Sequence, residues 1–537
     1  MGSLSDLLWD TVSKIGGLSS NVRSISASWL LVLLATIVFL YALFYLNYSR
    51  LPLPPSPPKH WLWGNSSELN PHYRHVVFGT EYKEKYGDII SLTTLSETQI
   101  ILNTPELASE LLDKRAAYTS DRTYHVMAND IMNWGEAIGF QSYDERLKKS
   151  RRVIASALHL TAAKSYAVQH SDSALDLIRL IASKPEGFIQ HINLVTGAFL
   201  LRLVYGYKVT EDDPVLKVVH EAIAYLGKAF SKVYWVNHLP FLKYVPAWFP
   251  GAGFQVLAYE GRQARNRMVD DSYNEVFNQV IRGQIEQPSY TSKLVEEKGC
   301  INISKEDADL IRLTAGSMYS GRLSLTVAVV LSFILEMALH PEIAQAVRNE
   351  IDSVVGRERL PVLADRESVP FFEAVLLEVL RLWPPAPLGA AHRASKEIEF
   401  RGYRIPKGAA LYANIWAMTH DPDLYPDPYV FNPSRFLKSN QDPDPRKYIF
   451  GFGKRLCSGI HVANNSMFVI CASLLSTFDI VATPELATKV EALGGPQSMN
   501  MHKLSSPIGL LLNMLPFSVE FKLRDAAAVA LAEGVGK

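Results

Sequence analysis

Phe450-Gly451-Phe452-Gly453-Lys454-Arg455-Leu456-Cys457-Ser458-Gly459 is followed by a largely apolar, small-residue run over 460–475 that contains no Gly or Pro and predicts a buried helix. Cys457 therefore stands at a helix entrance. Unpaired backbone N–H groups and the positive end of the helix dipole stabilise a thiolate there and suit it to bind a metal. Gly453 and Gly459 permit a tight turn and close approach of the backbone to a flat object, while Arg455 supplies a cation for an acidic group on that object. A haem with two propionates meets all three demands. The alternative is a small buried hydrophobe, the commonest fate of a free cysteine.

The ten positions fit F-x-x-G-x-R-x-C-x-G, with Phe450, Gly453, Arg455, Cys457 and Gly459 at the fixed places, and the pattern continues to Ala463. In this the segment resembles the haem-thiolate monooxygenases, the cytochrome P-450 family. The resemblance implies a mainly α fold with a smaller β part. It also implies haem b as cofactor, with Cys457 as the axial iron ligand whose electron donation favours O–O cleavage. Electrons are then expected from NADPH through an NADPH-cytochrome reductase.

The 537 residues are 48% hydrophobic and carry 54 basic and 54 acidic side chains. This zero net charge gives no reason to expect nucleic acid as a partner. Three cysteines, Cys300, Cys457 and Cys471, make no disulfide framework and suit a reducing compartment. Residues 24–49 hold no charge, and 29–46 are almost continuously apolar, a length that spans a bilayer. The stretch outlasts a signal-peptide core and no small-x-small site follows it, so it reads as an uncleaved single-pass anchor. Basic residues on its two flanks nearly balance, so charge does not orient it. The resemblance does: residues 1–23 in the lumen of the endoplasmic reticulum, 24–49 across the membrane and the body in the cytosol. Residues 50–60 then form a stiff proline-rich hinge, 61–524 the catalytic domain and 525–537 a tail outside the resemblance.

Residues 86–92 and 99–103 predict two strands around a polar turn. Over 143–158 a helix is crowded with Arg146, Lys148, Lys149, Arg151 and Arg152, either a solvated basic face or a docking surface for an acidic reductase. In the family a W-x-x-x-R pair here binds haem propionates; Arg151 matches, and Leu147 replaces the tryptophan. The stretch with Pro240, Phe241, Tyr244, Pro246, Trp248, Phe249 and Pro250 is too broken for a long helix and too aromatic for an ordinary loop. Given the anchor, it is expected to be a lip dipped in membrane lipid near the substrate entrance. Residues 283–299 are polar and are expected to form a surface loop.

A long helix is predicted over 304–340, capped by Ser304 and stopped by Pro341. Gly316-Ser317-Met318-Tyr319 and Met337-Ala338-Leu339-His340-Pro341 resemble the fungal natural-product branch of the family, typified by O-methylsterigmatocystin oxidoreductase. Counting between them without a gap puts the family's oxygen-binding groove, A-G-x-D-T-T, on Gly321-Arg322-Leu323-Ser324-Leu325-Thr326. Ser324 then replaces the acid, Leu325 the proton-delivering threonine and Arg322 the kink glycine. Thr326 survives but is turned about 100° round the helix and is expected to face elsewhere. An alignment shifted by one residue would put Thr326 in the catalytic place, at the cost of a gap before Met337. Arg322, at i, i+3 from Leu325, either reaches the pocket rim to bind a carboxylate or phenolate substrate or points to solvent.

Glu378 and Arg381 share one face of a helix over 370–381 flanked by Leu376, Leu377, Val379 and Leu380, so the pair is expected to be buried. It matches the family's E-x-x-R, and Arg435 in Phe431-Asn432-Pro433-Ser434-Arg435-Phe436 completes a structural triad. By resemblance His392-Arg393 passes a haem propionate, and the hairpin around Pro516-Phe517 lines the substrate pocket. Two functions follow. One is a monooxygenase oxidising a small apolar secondary metabolite in a fungal pathway. The other is an isomerase- or lyase-type rearrangement or coupling, independent of O2 or assisted by the substrate, on the same scaffold.

Overall fold

The computed structural model describes residues 29–41, 51–66, 73–94, 97–210, 212–231, 233–321, 323–437, 442–508 and 511–533. The chain divides into two units, Met1–Leu53 with Arg401–Arg404, and Pro54–Phe400 with Ile405–Lys537. The first holds a short apolar helix, Trp29–Tyr41, whose side chains are exposed, Trp29 at 68% and Phe39 at 62%. The rest of the expected span, 24–28 and 42–49, and all of 1–23 lie outside the described residues. Arg322 lies outside them as well.

The second unit is mainly helical, as the resemblance implies. Five helices place the site: α1 (Glu145–Leu158), α2 (Lys305–Ser320), α3 (Leu323–Leu339), α4 (Pro370–Leu382) and α5 (Ile460–Thr477). The segments α3 and α5 are apolar almost all round, and helices of that kind belong in a core. Phe333 of α3, Phe372 of α4 and Phe468 of α5 are fully buried and touch in sequence, with ring centroids 6.1 and 5.4 Å apart. Each such burial stabilises the fold by about 1.5–3 kcal/mol, and together they fix α3, α4 and α5 against one another.

Of the helix expected over 304–340, the described residues give α2 and α3 on either side of position 322, which lies outside them. Its start is as expected, with Ser304 Oγ accepting from the Asp307 N–H at 3.1 Å. Gly321, the last residue described before that position, has φ −79° and ψ −10°, and its N–H donates to the Ser317 carbonyl at 3.2 Å. Gly321 lines a cavity.

Residues 283–299 are a loop only in part, over 283–289. Tyr290–Glu297 is a helix held by a reciprocal Ser289–Ser292 capping box, and Tyr290, Thr291 and Ser292 are buried. The tail also folds: Ala526–Glu533 is a helix capped by Asp525, with Ala528 fully buried.

A five-stranded sheet carries the other edge of the site. Strands β1 (Ile89–Thr93) and β2 (Thr98–Leu102) pair antiparallel, with Ile89 opposite Leu102, around the turn expected from the sequence. Strand β2 runs parallel to β5 (Ala410–Ala413), beyond which lie β4 (His392–Arg393) and β3 (Asp121–Arg122), giving the order β1-β2-β5-β4-β3. From Pro54 onward the proline run is tied to this sheet, with Ser91 N–H donating to the Pro55 carbonyl at 2.8 Å and Ser91 Oγ to the Pro54 carbonyl at 2.6 Å.

Candidate active site

A cavity lies between the loop before α5 and the start of α3. Phe450, Arg455, Cys457 and Gly459 line one side of it; Gly321, Leu325, Thr326 and Val329 line another.

The loop is built as its sequence suggests. Gly459 is the N-cap of α5, so Cys457 sits two residues ahead of the cap with its thiol free. The Cys457 N–H donates to the Phe450 carbonyl at 2.8 Å, which closes the loop. Gly453 has φ +54°, and a Cβ there would stand 2.3 Å from the Leu112 carbonyl oxygen, so no other residue fits. Its N–H donates to Asp113 Oδ1 at 2.6 Å. Gly459, with φ −101°, needs no glycine freedom.

Arg455 is 7% exposed and spends its guanidinium on carbonyl oxygens, Ser120 at 2.6 Å, Ile138 at 3.4 Å and Gln141. Arg122, which the sequence reading missed, stands beside it. Strand pairing sets Arg122 opposite His392, and both line the cavity. Arg122 Nη1 donates to the carbonyls of Ala390 at 2.6 Å and Ala391 at 3.0 Å, while its buried Nε has no hydrogen-bond partner. Burial, then repulsion from Arg455 and Arg151, pushes its pKa down to about 9; burial and Arg151 push that of Arg455 down to about 10. Two cations facing one cavity, with no carboxylate bonded to either among the described residues, call for two anionic groups. The two propionates of a haem fit this need, and the free thiol of Cys457 in the same cavity fits its iron.

The other expected propionate ligands are placed differently. His392 Nδ1 donates to the Thr119 carbonyl at 2.8 Å, which leaves Nε2 as an acceptor. Burial foremost, then Arg122 and Arg455, pushes its pKa down to about 3, so the ring is neutral and does not itself attract a carboxylate. Arg393 is exposed and does not line the cavity, because successive side chains of a strand point to opposite faces. Arg151 on α1 donates through Nη2 to the Leu456 carbonyl at 2.8 Å, next to Cys457, and it too is absent from the cavity wall. Leu147 is fully buried. Replacing Arg122 with leucine is expected to weaken haem retention by about 1.5–3 kcal/mol, the worth of a hydrogen bond to a charged group. Competition with apomyoglobin measures it, and unchanged retention would rule Arg122 out of the cradle.

On the opposite wall, Leu325 lines the cavity. Thr326 does not face elsewhere: it is 8% exposed and lines the same cavity. The opening spans enough of the first turn of α3 to admit side chains about 100° apart. For Ser324 the description reaches only its backbone, within α3.

Below the thiol loop, Glu378 and Arg381 on α4 are both fully buried and bonded twice, at 2.7 and 2.8 Å. Arg435 Nε donates to Glu378 Oε1 at 3.2 Å and its Nη1 to Asp442 at 2.9 Å. Arg381 also donates to the carbonyls of Thr419 at 2.9 Å and Pro428 at 2.7 Å. None of the three lines the cavity.

A family model described as cytochrome P450 matches residues 54–502. The cytochrome P450 monooxygenase ppsD of Aspergillus oryzae is 36% identical over 502 residues, covering 90% of this chain and 91% of its own. Tryptamine 4-monooxygenase of Psilocybe cyanescens is 34% identical over 466 residues, covering 84% of this chain and 91% of its own. Among solved structures, a zebra fish cytochrome P450 with progesterone superposes with a TM-score of 0.67 at 22% identity, over 84% of this chain and 99% of that one. At that identity the likeness speaks for the fold.

Proposed function

The chain belongs to the cytochrome P450 family of haem-thiolate monooxygenases, and on that premise we propose that it oxidises a small apolar secondary metabolite in a fungal pathway. It takes electrons from NADPH through a reductase at the membrane of the endoplasmic reticulum. The observation that carries this is the convergence of the Cys457 thiol, the Arg122 and Arg455 cations and a largely apolar wall on one cavity. The haem, when bound, supplies the redox centre at which dioxygen is activated. The residues do the rest: Cys457 holds the iron, Arg122 and Arg455 hold the propionates, and Leu325, Val329, Ala386, Ala413 and Ile415 favour an apolar substrate and exclude water.

A second reading, rearrangement or coupling without O2, is supported by Leu325, which cannot pass a proton where the family has a hydroxyl. NADPH and O2 consumption with purified reductase separates the two. Consumption matched by product oxygen drawn from O2 supports the monooxygenase; product formed without either supports the rearrangement.

Two features support the membrane. One is the exposed apolar helix Trp29–Tyr41. The other is an aromatic lip on the catalytic unit, with Trp248 81%, Tyr244 78% and Phe241 64% exposed. Trp61, 86% exposed, lies near this surface through Trp63, whose ring is 6.3 Å from that of Trp235. Amphipathic rings at such a surface suit a headgroup boundary. Deleting residues 1–50 is expected to turn a detergent-requiring protein into a partly salt-extractable one, and Trp248→Glu with Phe249→Glu to release the remainder. A full-length protein soluble without detergent contradicts the anchor.

A reductase docks at the exposed cations Arg146, Arg152 and Lys454 near the thiol loop. Lys148 and Lys149 contribute less, being paired with Glu145 and Glu306 at 2.6 Å.

A further inference from the structure

We propose that a groove between the helices Ala167–Ser183 and Phe188–Tyr205 binds a single-chain lipid with an anionic head, of the monoacylglycerol phosphate class. None of the residues that line it lines the cavity with Cys457, so the site does not depend on the monooxygenase reading. The sequence builds the groove in three parts. Asp176 and Leu180 stand i, i+4 on the first helix, and Leu194, Ala198 and Arg202 stand i, i+4, i+8 on the second, so each helix turns one face to it. Gly206 then ends the second helix at φ +69°, where a Cβ would stand 2.4 Å from the Gln287 carbonyl oxygen. The turn brings residues 207–210 along the groove as a third wall. That wall is pinned by Asp213, which accepts from the Tyr207 hydroxyl at 3.0 Å and from the Thr210 N–H at 3.1 Å.

The floor of the groove is apolar and its rim cationic. Val195 and Phe199 are buried and Leu180, Leu194 and Ala198 half-buried, a strip that an acyl chain covers. Three cations, Arg179, Arg202 and Lys208, line the groove against one carboxylate, Asp176. Arg202 leans on Asp172 at 3.4 Å. Arg179 and Lys208 act on Asp176 only through space, with no ion pair of their own among the described residues. A guanidinium fork beside an ammonium suits a phosphate. Asp176 has no hydrogen-bond partner among the described residues, and burial foremost pushes its pKa up, against the pull of Arg202 and Arg179. A carboxylate so placed takes a donor, and the glycerol hydroxyls of the head supply one beside the phosphate. Inorganic phosphate meets the cations but covers none of the floor. A neutral monoacylglycerol covers the floor and leaves the cations unmatched. A lipid that carries both parts satisfies the whole groove.

The test uses the full-length protein in nanodiscs of neutral phosphatidylcholine. The probe is a monoacylglycerol phosphate whose chain ends in a diazirine; light fixes it in place, and mass spectrometry of the digest locates it. Label is expected on the peptides that hold Leu180, Leu194 and Ala198. Arg179→Glu with Lys208→Glu is expected to cut that label several-fold, and Arg179→Gln with Lys208→Gln serves if the reversed variant is poorly made. Excess inorganic phosphate is expected to leave the label in place, and the same probe without its phosphate to leave the groove unlabelled. Label confined to the aromatic lip or to the cavity with Cys457, or groove label that survives both double variants, would overturn the assignment. Displacement by inorganic phosphate would make this a site for the free ion and overturn the lipid, while equal labelling by the phosphate-free probe would overturn the anionic head.

Discussion

Glu378→Ala is expected to lower the stability of the protein by about 3–5 kcal/mol, the usual result of removing one partner from a buried ion pair. The carboxylate is fully buried and serves two guanidinium groups, Arg381 at 2.7 and 2.8 Å and Arg435 at 3.2 Å, and also accepts the Asn432 N–H at 2.9 Å. Alanine strands both cations and a backbone donor in a space that water does not reach. Arg381 keeps its bonds to the carbonyls of Thr419 and Pro428, and Arg435 keeps Asp442, so their geometry holds while their charge goes uncompensated. Because α4 packs on α5 through Phe372 and Phe468, the loss reaches the helix that carries the thiol loop. The urea midpoint of the purified protein measures this, and haem content should fall with it. A variant within about 1 kcal/mol of wild type, the ordinary effect of a substitution outside such a network, would show that the triad does not hold the fold.

What was legible in the sequence was local. The thiol loop, the Glu378–Arg381 pair and the Ser304 cap depend on residues within ten positions of one another, and the structure puts them together as their spacing suggests. What was not legible depends on chain segments far apart. Arg122 reaches the cavity only because β3 pairs with β4 and faces His392 across the ladder. The same alternation turns Arg393 outward, which two adjacent donors in a sequence do not reveal. Thr326 faces the cavity because the opening is wide, and width is a property of the packed helices. The helix Tyr290–Glu297 was hidden by its polarity; the signal was a serine three residues after another serine, a weaker form of the usual capping pair.

The second large effect is expected at Cys457, where the central claim rests. Among the free cysteines, Cys471 is buried within α5, and burial pushes its thiol well up from its ordinary pKa; Cys300 lies at a surface turn and does not line the cavity. Only Cys457 faces the cavity with the Arg122 and Arg455 cations, just ahead of α5. His392, the one histidine among the described residues that lines the cavity, is held by the Thr119 carbonyl at the sheet edge. The direct measurement is the reduced carbon monoxide difference spectrum of the full-length protein and of Cys457→Ala, recorded side by side. Wild type is expected to absorb near ~450 nm, as axial thiolate ligation requires, and the variant to lose that band. An unchanged band in the variant, or none in a haem-loaded wild type, would contradict the assignment of Cys457 as the iron ligand.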